Sequence, residues 1–458
     1  MQPRLLWRVL IATLINCCAS LKATVNRLQY LKSTESINRM SVISFSHSTK
    51  ATVQLKGSST VHVETKKDEA TLHADLKSSV KEVIKDWKYN DGEIVIRSLS
   101  GGITNLLYTL TPKTEVLRTV IVRIYGEGTS LFVDRDVENI VFATLSERGI
   151  GPKFYGTFRN GRVEGFCEAK TLKPEEISDR EVFPKTSTAI AQLHSQTIPE
   201  INQNAMLWTK LESFFDLAEK YMATSVDKTT GSSMTEKENN LASMKEQGKW
   251  LKRNMDSIEK KVNADLLMVN TRRKKLRLRG AKFGFDVLLC HNDLLAGNIL
   301  LSNHENLQAP TRLNNIATQY SVEEKTCGTL YRDDLDFGSS QTRPRSTDTD
   351  RVRAEHLCTS EEEENVDTNG ITLIDFEYAA NNYRAWDIAN HFNEFAGFDF
   401  NIQKDYPTKE RRLEFLKYYV KGYYRHGSSS SREQLTDVVG DVDDLNEFIE
   451  GFEVCCFK

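Results

Sequence analysis

The sequence predicts an α+β protein with two lobes, a small strand-rich lobe followed by a larger, mainly helical one. β-rich runs lie close together between residues 93 and 126. From residue 184 onward, apolar residues recur mainly at helical spacing. A chain of 458 residues, 39% hydrophobic and 27% charged, has an ordinary globular composition and is long enough for two lobes.

Charge and cysteine content narrow the class of protein. The chain carries 61 basic and 64 acidic residues, a balance that gives no indication of nucleic-acid binding. Its eight cysteines are scattered, without a CxxC pair or metal-ligand spacing. We therefore predict reduced thiols and a cytoplasmic protein.

The first 20 residues are apolar and basic, so a targeting or membrane segment has to be considered. Arg8 interrupts the apolar run, which falls short of the ~18 residues of a membrane span, so no transmembrane segment is predicted. A signal peptide or mitochondrial presequence is the alternative to a weakly helical extension. Residues 33–75 are rich in Ser, Thr and Lys, and residues 1–75 are predicted to be a poorly ordered extension.

Residues 76–168 are predicted to form the small, nucleotide-binding lobe. Two β-rich runs within 93–112 are joined by a glycine-containing turn, and a third strand follows at 119–126. A helix is expected from 136 to 147. Another precedes the strands, because five apolar residues share one helical face: Leu76, Val80, Val83, Ile84 and Trp87.

Residues 169–458 are predicted to form the larger lobe, with helices near 184–196, 207–222 and 235–262. The basic run 271-TRRKKLRLRG-280 is interpreted as a solvated surface, with contact to an anionic membrane as the alternative. Residues 303–369 keep no apolar period and are predicted to be a disordered insertion.

Two stretches place polar side chains inside apolar runs. In 289-LCHNDLLAGNILL-301, Asp293 and Asn298 are five residues apart, and in 371-ITLIDFEY-378, Asp375 ends a β-branched strand. Transfer of a phosphoryl group to a hydroxyl needs a carboxylate to accept the hydroxyl proton and oxygen ligands for Mg²⁺. The pair of stretches supplies both kinds of group.

Each of these residues also has a structural interpretation. A single Asp in an apolar run is commonly a helix cap or a buried ion-pair partner. The combination of His291, Asp293 and Asn298 with a strand ending in Asp375 is harder to obtain by chance and favours function. His291 itself is interpreted as a structural residue that hydrogen-bonds to the backbone and shapes the loop.

The pattern HxDxxxxN followed by IDFEY resembles the choline/ethanolamine kinase family, which has a two-lobed protein-kinase-like fold. The resemblance extends from about residue 78 to 450, apart from the 303–369 insertion. The stretches 123–136, 150–166 and 381–397 are most similar to its ethanolamine-specific members. Choline kinases usually carry a Cys-Glu-Trp type sequence where this chain has 393-NEF-395.

The resemblance implies roles for the polar residues of both stretches. Asp293 would be the catalytic base, and Asn298 and Asp375 would be the Mg²⁺ ligands. Glu377 would support the metal site or, alternatively, pair with a basic neighbour such as Arg384.

The resemblance also implies an ATP site in the small lobe. Arg123 would occupy the phosphate-binding position of the third strand, with Glu138 as its ion-pair partner. Without the family, an edge-strand charge and a solvated helix charge are the better interpretation. The turn that covers the ATP phosphates would consist of Ser100, Gly101, Gly102, Thr104 and Asn105, although an ordinary hairpin turn explains it equally well.

The substrate implied by the resemblance is ethanolamine. A primary ammonium has three N–H donors and suits carboxylates, whereas a quaternary ammonium has none and suits an aromatic cage. By resemblance, Glu394 and Asp293 would face the ammonium, although Glu394 could equally be a carboxylate on a helix surface.

The implied activity is ATP- and Mg²⁺-dependent phosphorylation of ethanolamine to phosphoethanolamine, the first step of phosphatidylethanolamine synthesis by the CDP-ethanolamine route. Choline phosphorylation is the neighbouring alternative. Family members usually continue past Phe452 into an aromatic segment, and the tryptophans here are at 7, 87, 208, 250 and 386, so a C-terminally truncated form is expected. This motivates another hypothesis, a non-catalytic regulatory partner that forms a homodimer or a dimer with a full-length form.

Overall fold

The computed structural model describes a two-lobed α+β protein, as the sequence predicts. The predicted insertion at 303–369 and most of the predicted N-terminal extension lie outside the described residues. The described residues are 59–65, 68–88, 92–99, 105–114, 117–126, 128–129, 133–224, 233–302, 370–397, 402–427 and 442–457.

The small lobe, called the N-lobe, is built on an antiparallel sheet with strand order β1-β2-β3-β5-β4. Apolar residues at alternate positions of the strands pack against the first helix and Trp87, so one face of the sheet is buried. The five strands are β1 Ile94–Leu99, β2 Asn105–Pro112, β3 Val120–Tyr125, β4 Phe154–Phe158 and β5 Gly161–Gly165.

Ordered structure begins earlier than predicted. Helix α1 spans Glu69–Val83, so it starts seven residues before the predicted boundary at Leu76. The side chain of Asp68 caps this helix by accepting a hydrogen bond from the backbone N–H of Thr71. Upstream, Val63 is buried, and its backbone exchanges two hydrogen bonds with the side chain of Asn160. The boundary of the predicted extension at residue 75 is therefore wrong, because a polar composition concealed a helix cap and backbone pairing.

Helix α2, Arg135–Glu147, crosses from the sheet towards the large lobe, close to the predicted bounds. Asp134 caps it by accepting hydrogen bonds from the backbone N–H groups of Asp136 and Val137. Its buried face includes a charged residue, Glu138.

The large lobe, called the C-lobe, is mainly helical. The predicted helices at 184–196, 207–222 and 235–262 are present with shifted ends. Its apolar core joins several helices to the strands beneath the site, through residues such as Phe183, Leu289, Ile388 and Phe415. The helices are α3 Val182–His194, α4 Leu207–Thr224, α5 Ser233–Met268, α6 Arg272–Gly284, α7 Arg384–Glu394, α8 Ile402–Asp405, α9 Lys409–His426 and α10 Val442–Phe457.

Two small antiparallel sheets belong to the C-lobe, whose core includes Leu289, Ile299 and Leu373. The first pairs β7, Val287–Cys290, with β10, Ala380–Tyr383. The second has the order β6-β8-β9, from Ala169–Thr171, Ile299–Ser302 and Ile371–Leu373. The backbone N–H of Ser302 donates to the carbonyl of Gly370 at 2.8 Å, so β8 and β9 are closed at the end where the insertion leaves and returns.

Helices α6 and α10 pack almost backbone to backbone. A Cβ on Gly280 would overlap the carbonyl of Phe448, and a Cβ on Gly451 would overlap the carbonyl of Arg277. Glycine at both positions therefore permits this close approach.

The predicted solvated surface at 271–280 is in part an ion-paired interface. Three arginines of α6 face the acidic side of α10, so these three charges are neutralised within the fold. The pairs are Arg272 with Asp444, Arg273 with Glu447, and Arg277 with Glu447 and Glu450. Among the described helices, none is both long enough and apolar enough to span a membrane.

Candidate active site

The 291–298 loop connects β7 to β8 and carries the first set of predicted residues. Leu294 and Ala296 are buried and anchor the loop in the C-lobe core. Asp293 remains half-buried, whereas Asn298 is buried at the end of a short 3₁₀ helix, Ala296–Asn298. The side-chain N–H of Asn298 donates to the Asp293 carbonyl at 2.9 Å and to the Asp293 carboxylate at 3.2 Å. The two polar side chains are therefore in direct contact.

Asp375 is brought to the same place by the pairing of β9 with β8. The backbone N–H of Ile374 donates to the carbonyl of Asn298 at 3.0 Å. His291 contacts the carbonyl of Ile374 through Nε2 at 2.9 Å, as expected for a residue that shapes the loop. The predicted trio of Asp293, Asn298 and Asp375 thus lies along one edge of the C-lobe.

Two residues of this region have left-handed backbone conformations. Asn292 has a φ of 63° and Asp375 a φ of 64°. Few non-glycine residues adopt this conformation, although Asn and Asp tolerate it better than most, and such positions are concentrated at functional sites. At Asp375 the turn starts the 3₁₀ helix Phe376–Tyr378.

Asp387 on α7 holds the 291–298 loop from behind. Its two carboxylate oxygens accept hydrogen bonds from the backbone N–H groups of His291 at 2.7 Å and Asn292 at 2.8 Å. Charge-assisted hydrogen bonds to two successive backbone N–H groups fix the direction of the chain immediately before Asp293.

A buried hydrogen-bond network continues from Asp387 into the C-lobe. His194 contacts Asp387 at 2.9 Å through Nε2 and the Tyr419 hydroxyl at 2.7 Å through Nδ1, and Arg384 donates to that hydroxyl at 2.8 Å. Burial lowers the pKa of His194 in spite of the adjacent carboxylate. Burial would raise the pKa of Asp387, but the hydrogen bond from His194 and the backbone donors lower it. The network therefore pairs a neutral imidazole with a carboxylate.

His194, Cys290 and Asp387 present ligand atoms within 4.8 Å of one another, so this cluster has the geometry of a metal site. Its chemistry does not fit. Burial raises the pKa of the Cys290 thiol well above its usual range, and the thiol already faces the carbonyl of Asn382 at 3.5 Å. Both His194 nitrogens are also engaged. We interpret the cluster as structural.

On the N-lobe side, buried arginines and glutamates lie next to Asp375. Arg123 on β3 contacts Glu164 at 3.2 Å and reaches Asp375 of the C-lobe at 3.2 Å. Arg162 lies opposite Arg123 in the β3–β5 register and pairs with both Glu164 and Glu138. The Arg123 side chain thus joins the two lobes at the predicted site.

The predicted ion pair between Arg123 and Glu138 is wrong. Glu138 instead contacts Arg162 and, at 2.6 Å, Arg135. Glu164 separates the two arginines, since it binds Arg123 through one oxygen and Arg162 through the other. Arg162 therefore takes the position next to α2, and Arg123 turns towards Asp375.

These ion pairs keep the buried carboxylates charged. Burial would raise the pKa of Glu138, but attraction to Arg162 and Arg135 lowers it. The pKa of Glu164 is lowered against the effect of burial by Arg123 and Arg162.

Arg135 connects the predicted nucleotide turn to Glu377. It donates to the side chains of Asn105 at 3.1 Å and Thr129 at 2.7 Å, and lies 3.8 Å from the Glu377 carboxylate. The alternative pairing of Glu377 with Arg384 is wrong, because the buried Arg384 binds Asp286 at 3.1 Å and the Tyr419 hydroxyl at 2.8 Å. Asn105 is the first residue of β2, whereas Ser100, Gly101, Gly102 and Thr104 lie outside the described residues.

Glu394 is the last residue of α7 and is half-buried. One turn earlier, His391 contacts the carbonyl of Leu294 through Nδ1 at 3.0 Å, which ties α7 to the residue following Asp293. Burial lowers the pKa of His391 to about 4, so this imidazole is neutral near pH 7. Helix α7 therefore supports the first half of the 291–298 loop, through Asp387 and His391.

Several residues of the site were not predicted from the sequence: Arg135, Arg162, Glu164, Asp387 and His194. The alternation in 161-GRVEG-165 is a weak signal, because it places two charges on one face of a strand. Asp387 follows the second motif, but its partner His194 is 193 residues away in the chain.

Taken together, two carboxylates and an amide between a β-rich lobe and a helical lobe are the parts of a kinase-like phosphotransferase. Residues 96–451 match the model of the choline/ethanolamine kinase family, so the chain belongs to that family and the predicted resemblance is confirmed.

Individual relatives bear both substrate names. A probable ethanolamine kinase of Arabidopsis thaliana is 26% identical over 344 residues, 74% of this chain and 67% of the relative. A probable choline kinase 2 of the same plant is 25% identical over 361 residues, 76% of this chain and 75% of the relative. The solved structure of a Plasmodium vivax ethanolamine kinase has a TM-score of 0.49 at 18% identity and covers 86% of this chain and 92% of its own.

Proposed function

We propose that this kinase transfers the γ-phosphoryl group of ATP to the hydroxyl of ethanolamine, giving phosphoethanolamine for phospholipid synthesis. The observation that carries the proposal is the contact of Asn298 with Asp293, next to Asp375, which follows the adjoining strand β9. This arrangement puts a proton acceptor and two oxygen-bearing side chains at one position between the lobes.

Asp293 is proposed as the catalytic base. Its half-buried carboxylate would accept the proton of the substrate hydroxyl as that oxygen attacks the γ-phosphorus. Asn298 holds the carboxylate in place, and Asp387 fixes the backbone before it. The loop geometry therefore supports a positioned base.

Asn298 and Asp375 are proposed to hold Mg²⁺, which supplies neutralisation of the phosphate charge when bound. Asn298 uses its N–H group towards Asp293, so its oxygen remains as a ligand. Asp375 contacts Arg123 through one oxygen, and its other oxygen has no partner among the described residues. Hard oxygen donors of this kind fit the ion. Glu377, beside Arg135, is proposed to support the metal site from a greater distance.

Arg123 is proposed to interact with the ATP phosphates. Its guanidinium is buried at the junction of the lobes, where an anionic group would find a positive charge. The turn that contains Ser100, Gly101, Gly102, Thr104 and Asn105 is proposed to cover the phosphates, with Arg135 holding Asn105.

For the amine, Glu394 and Asp293 are proposed to face the ammonium of ethanolamine. Both are carboxylates, which suit the three N–H donors of a primary ammonium better than a quaternary one. Choline remains the second candidate, because a relative of similar identity is named a probable choline kinase.

The free thiols of Cys167, Cys290, Cys455 and Cys456 support a proposed location in the reducing cytoplasm. Dimer formation and a regulatory, non-catalytic role remain predictions.

The Asp293→Ala variant tests the proposed reaction. With Mg-ATP and ethanolamine, we expect the variant to form phosphoethanolamine about 10²–10⁴-fold more slowly than the natural chain. Thermal stabilisation by Mg-ATP should persist, since the proposed metal ligands are retained. The matched control is Asp216→Ala, which removes an exposed aspartate on α4.

An Asp293→Ala variant that turns over as fast as the Asp216→Ala control would contradict the role of the base. Comparison of kcat/KM for ethanolamine and choline in the natural chain decides the substrate. A higher value for choline would replace ethanolamine as the proposed substrate while leaving the reaction class intact.

A further inference from the structure

Three exposed apolar side chains lie where α5 ends, α6 begins and α10 begins. Leu267 and Met268 at the end of α5 are 86% and 83% exposed, the highest values among the large apolar residues of the described ranges. Val442 at the start of α10 is 61% exposed, and two residues later Asp444 contacts Arg272 of α6. The α5–α6 corner, defined as residues 267–275, therefore presents apolar surface to solvent.

The same corner is positively charged, because residues 267–275 include two arginines and two lysines and no acidic residue. The wider range 260–282 includes nine lysines and arginines, against the single acidic residue Asp265. Acidic residues of α10 neutralise three of the arginines, as described above. Lys274 and Lys275 are exposed and have no acidic partner within the described part of the chain. Both belong to the first turn of α6, six and seven residues after Met268 in the chain.

Exposed apolar side chains next to unpaired cations fit an anionic lipid surface. The apolar groups enter the boundary between headgroups and acyl chains, and the lysines stay with the headgroup phosphates. The corner joins the end of α5 to the start of α6, and the high exposure of Leu267 and Met268 suits shallow insertion. We propose that the α5–α6 corner docks the protein on an anionic bilayer, with Leu267 and Met268 inserted and Lys274 and Lys275 at the surface.

The experiment is sedimentation of the full chain with vesicles. Vesicles of phosphatidylcholine alone are compared with vesicles that also contain phosphatidylserine. We expect binding to require phosphatidylserine and to weaken as salt is added, because salt screens the attraction.

Two double variants separate the contributions of charge and apolar surface. Lys274→Glu/Lys275→Glu should weaken binding about tenfold or more. It should leave α6 folded, since acidic residues are favourable in a first helical turn. Leu267→Ser/Met268→Ser should weaken binding without changing the charge. The charge-matched control is Lys85→Glu/Lys409→Glu, at exposed positions on other elements.

Equal binding to both kinds of vesicle, or equal binding of the lysine variant and its control, would overturn the proposal. Unchanged binding of the Leu267→Ser/Met268→Ser variant would overturn the insertion. Phosphorylation of a soluble amine in the absence of vesicles should be the same in all variants, so this result is independent of the proposed reaction.

Discussion

The two lobes bury charged residues in different ways. In the N-lobe, Arg123 and Arg162 pair with carboxylates side chain to side chain, and Arg123 ends on Asp375 of the other lobe. In the C-lobe, the Asp387 carboxylate accepts hydrogen bonds from backbone N–H groups of the 291–298 loop and contacts the neutral His194. The N-lobe cluster thus presents charge to the site, whereas the C-lobe network fixes the shape of the loop.

The largest expected effect comes from breaking the N-lobe cluster at Arg162. Arg162→Met removes the buried cation that Glu138 and Glu164 share, so Glu138 keeps only Arg135 and Glu164 keeps only Arg123. Removing one partner from a buried ion-pair network costs about 3–5 kcal/mol of unfolding free energy, which urea denaturation would measure. Arg159→Met, at an exposed neighbouring position, is the control and should change stability by less than about 0.5 kcal/mol. Equal stability of the two variants would mean that the N-lobe cluster is not a cooperative unit.

A smaller effect is expected in the C-lobe network. Asp387→Asn keeps the size of the side chain but removes one of the two acceptors for the His291 and Asn292 N–H groups. We expect a loss of about 1–3 kcal/mol in unfolding free energy, together with a fall in kcat because the loop before Asp293 is loosened.

Asp286→Asn is the control, since it removes a half-exposed carboxylate from the other end of the same network, where Arg384 binds it. Its cost should stay below about 1 kcal/mol, with kcat unchanged. If Asp387→Asn lowered stability without any change in kcat, the network would stabilise the fold but would not position the loop for catalysis.

The last comparison concerns how the unfolding free energy of each lobe depends on pH. The pKa of His391 is lowered by burial from 6.5 to about 4, and that of His194 is lowered too. Below pH 6.5 the unfolded chain binds protons that these folded imidazoles do not, so the unfolding free energy falls as pH falls towards 4. At pH 5 the share of His391 is about 2 kcal/mol.

His391→Gln should therefore show a shallower loss of stability between pH 6.5 and 5 in urea denaturation, whereas His73→Gln on α1 should follow the natural chain. The pKa values of Glu138 and Glu164 are lowered below 4.5, so the N-lobe carboxylates lose their stabilising contribution only at more acidic pH. If the unfolding free energies of His391→Gln and His73→Gln changed with pH in the same way, the loss between pH 6.5 and 5 could not be assigned to His391.

The sequence predicted the parts that local pattern encodes. Helix α2 and the three N-lobe strands follow from apolar periodicity, and Asp293, Asn298 and Asp375 are conspicuous as polar residues in apolar runs. The start of α1 was missed because its signal is a single cap at Asp68 in a polar segment.

The ion pairs could not be predicted from local sequence pattern. Nothing local to Glu138 distinguishes Arg162 from Arg123, since both lie on strands of the same sheet and only the register brings Arg162 closer to α2. The basic run of α6 likewise looks solvated until α10, more than 160 residues later, supplies its acidic partners. Tertiary contact, which periodicity does not contain, decides these positions.

The hydrogen bond that joins Ser302 to Gly370 has a practical consequence for protein engineering. The pairing of β8 with β9 holds Ser302 and Gly370 together by itself. The distance between these two residues therefore does not depend on the segment that connects them. Doubling the length of a flexible connection costs only about 0.6 kcal/mol. The intervening segment can therefore be exchanged for a short turn, an affinity tag or a fluorescent domain while Asn298 and Asp375 keep their places. A reporter grafted there would be separated from Asn298 by the length of β8 and from Asp375 by the length of β9.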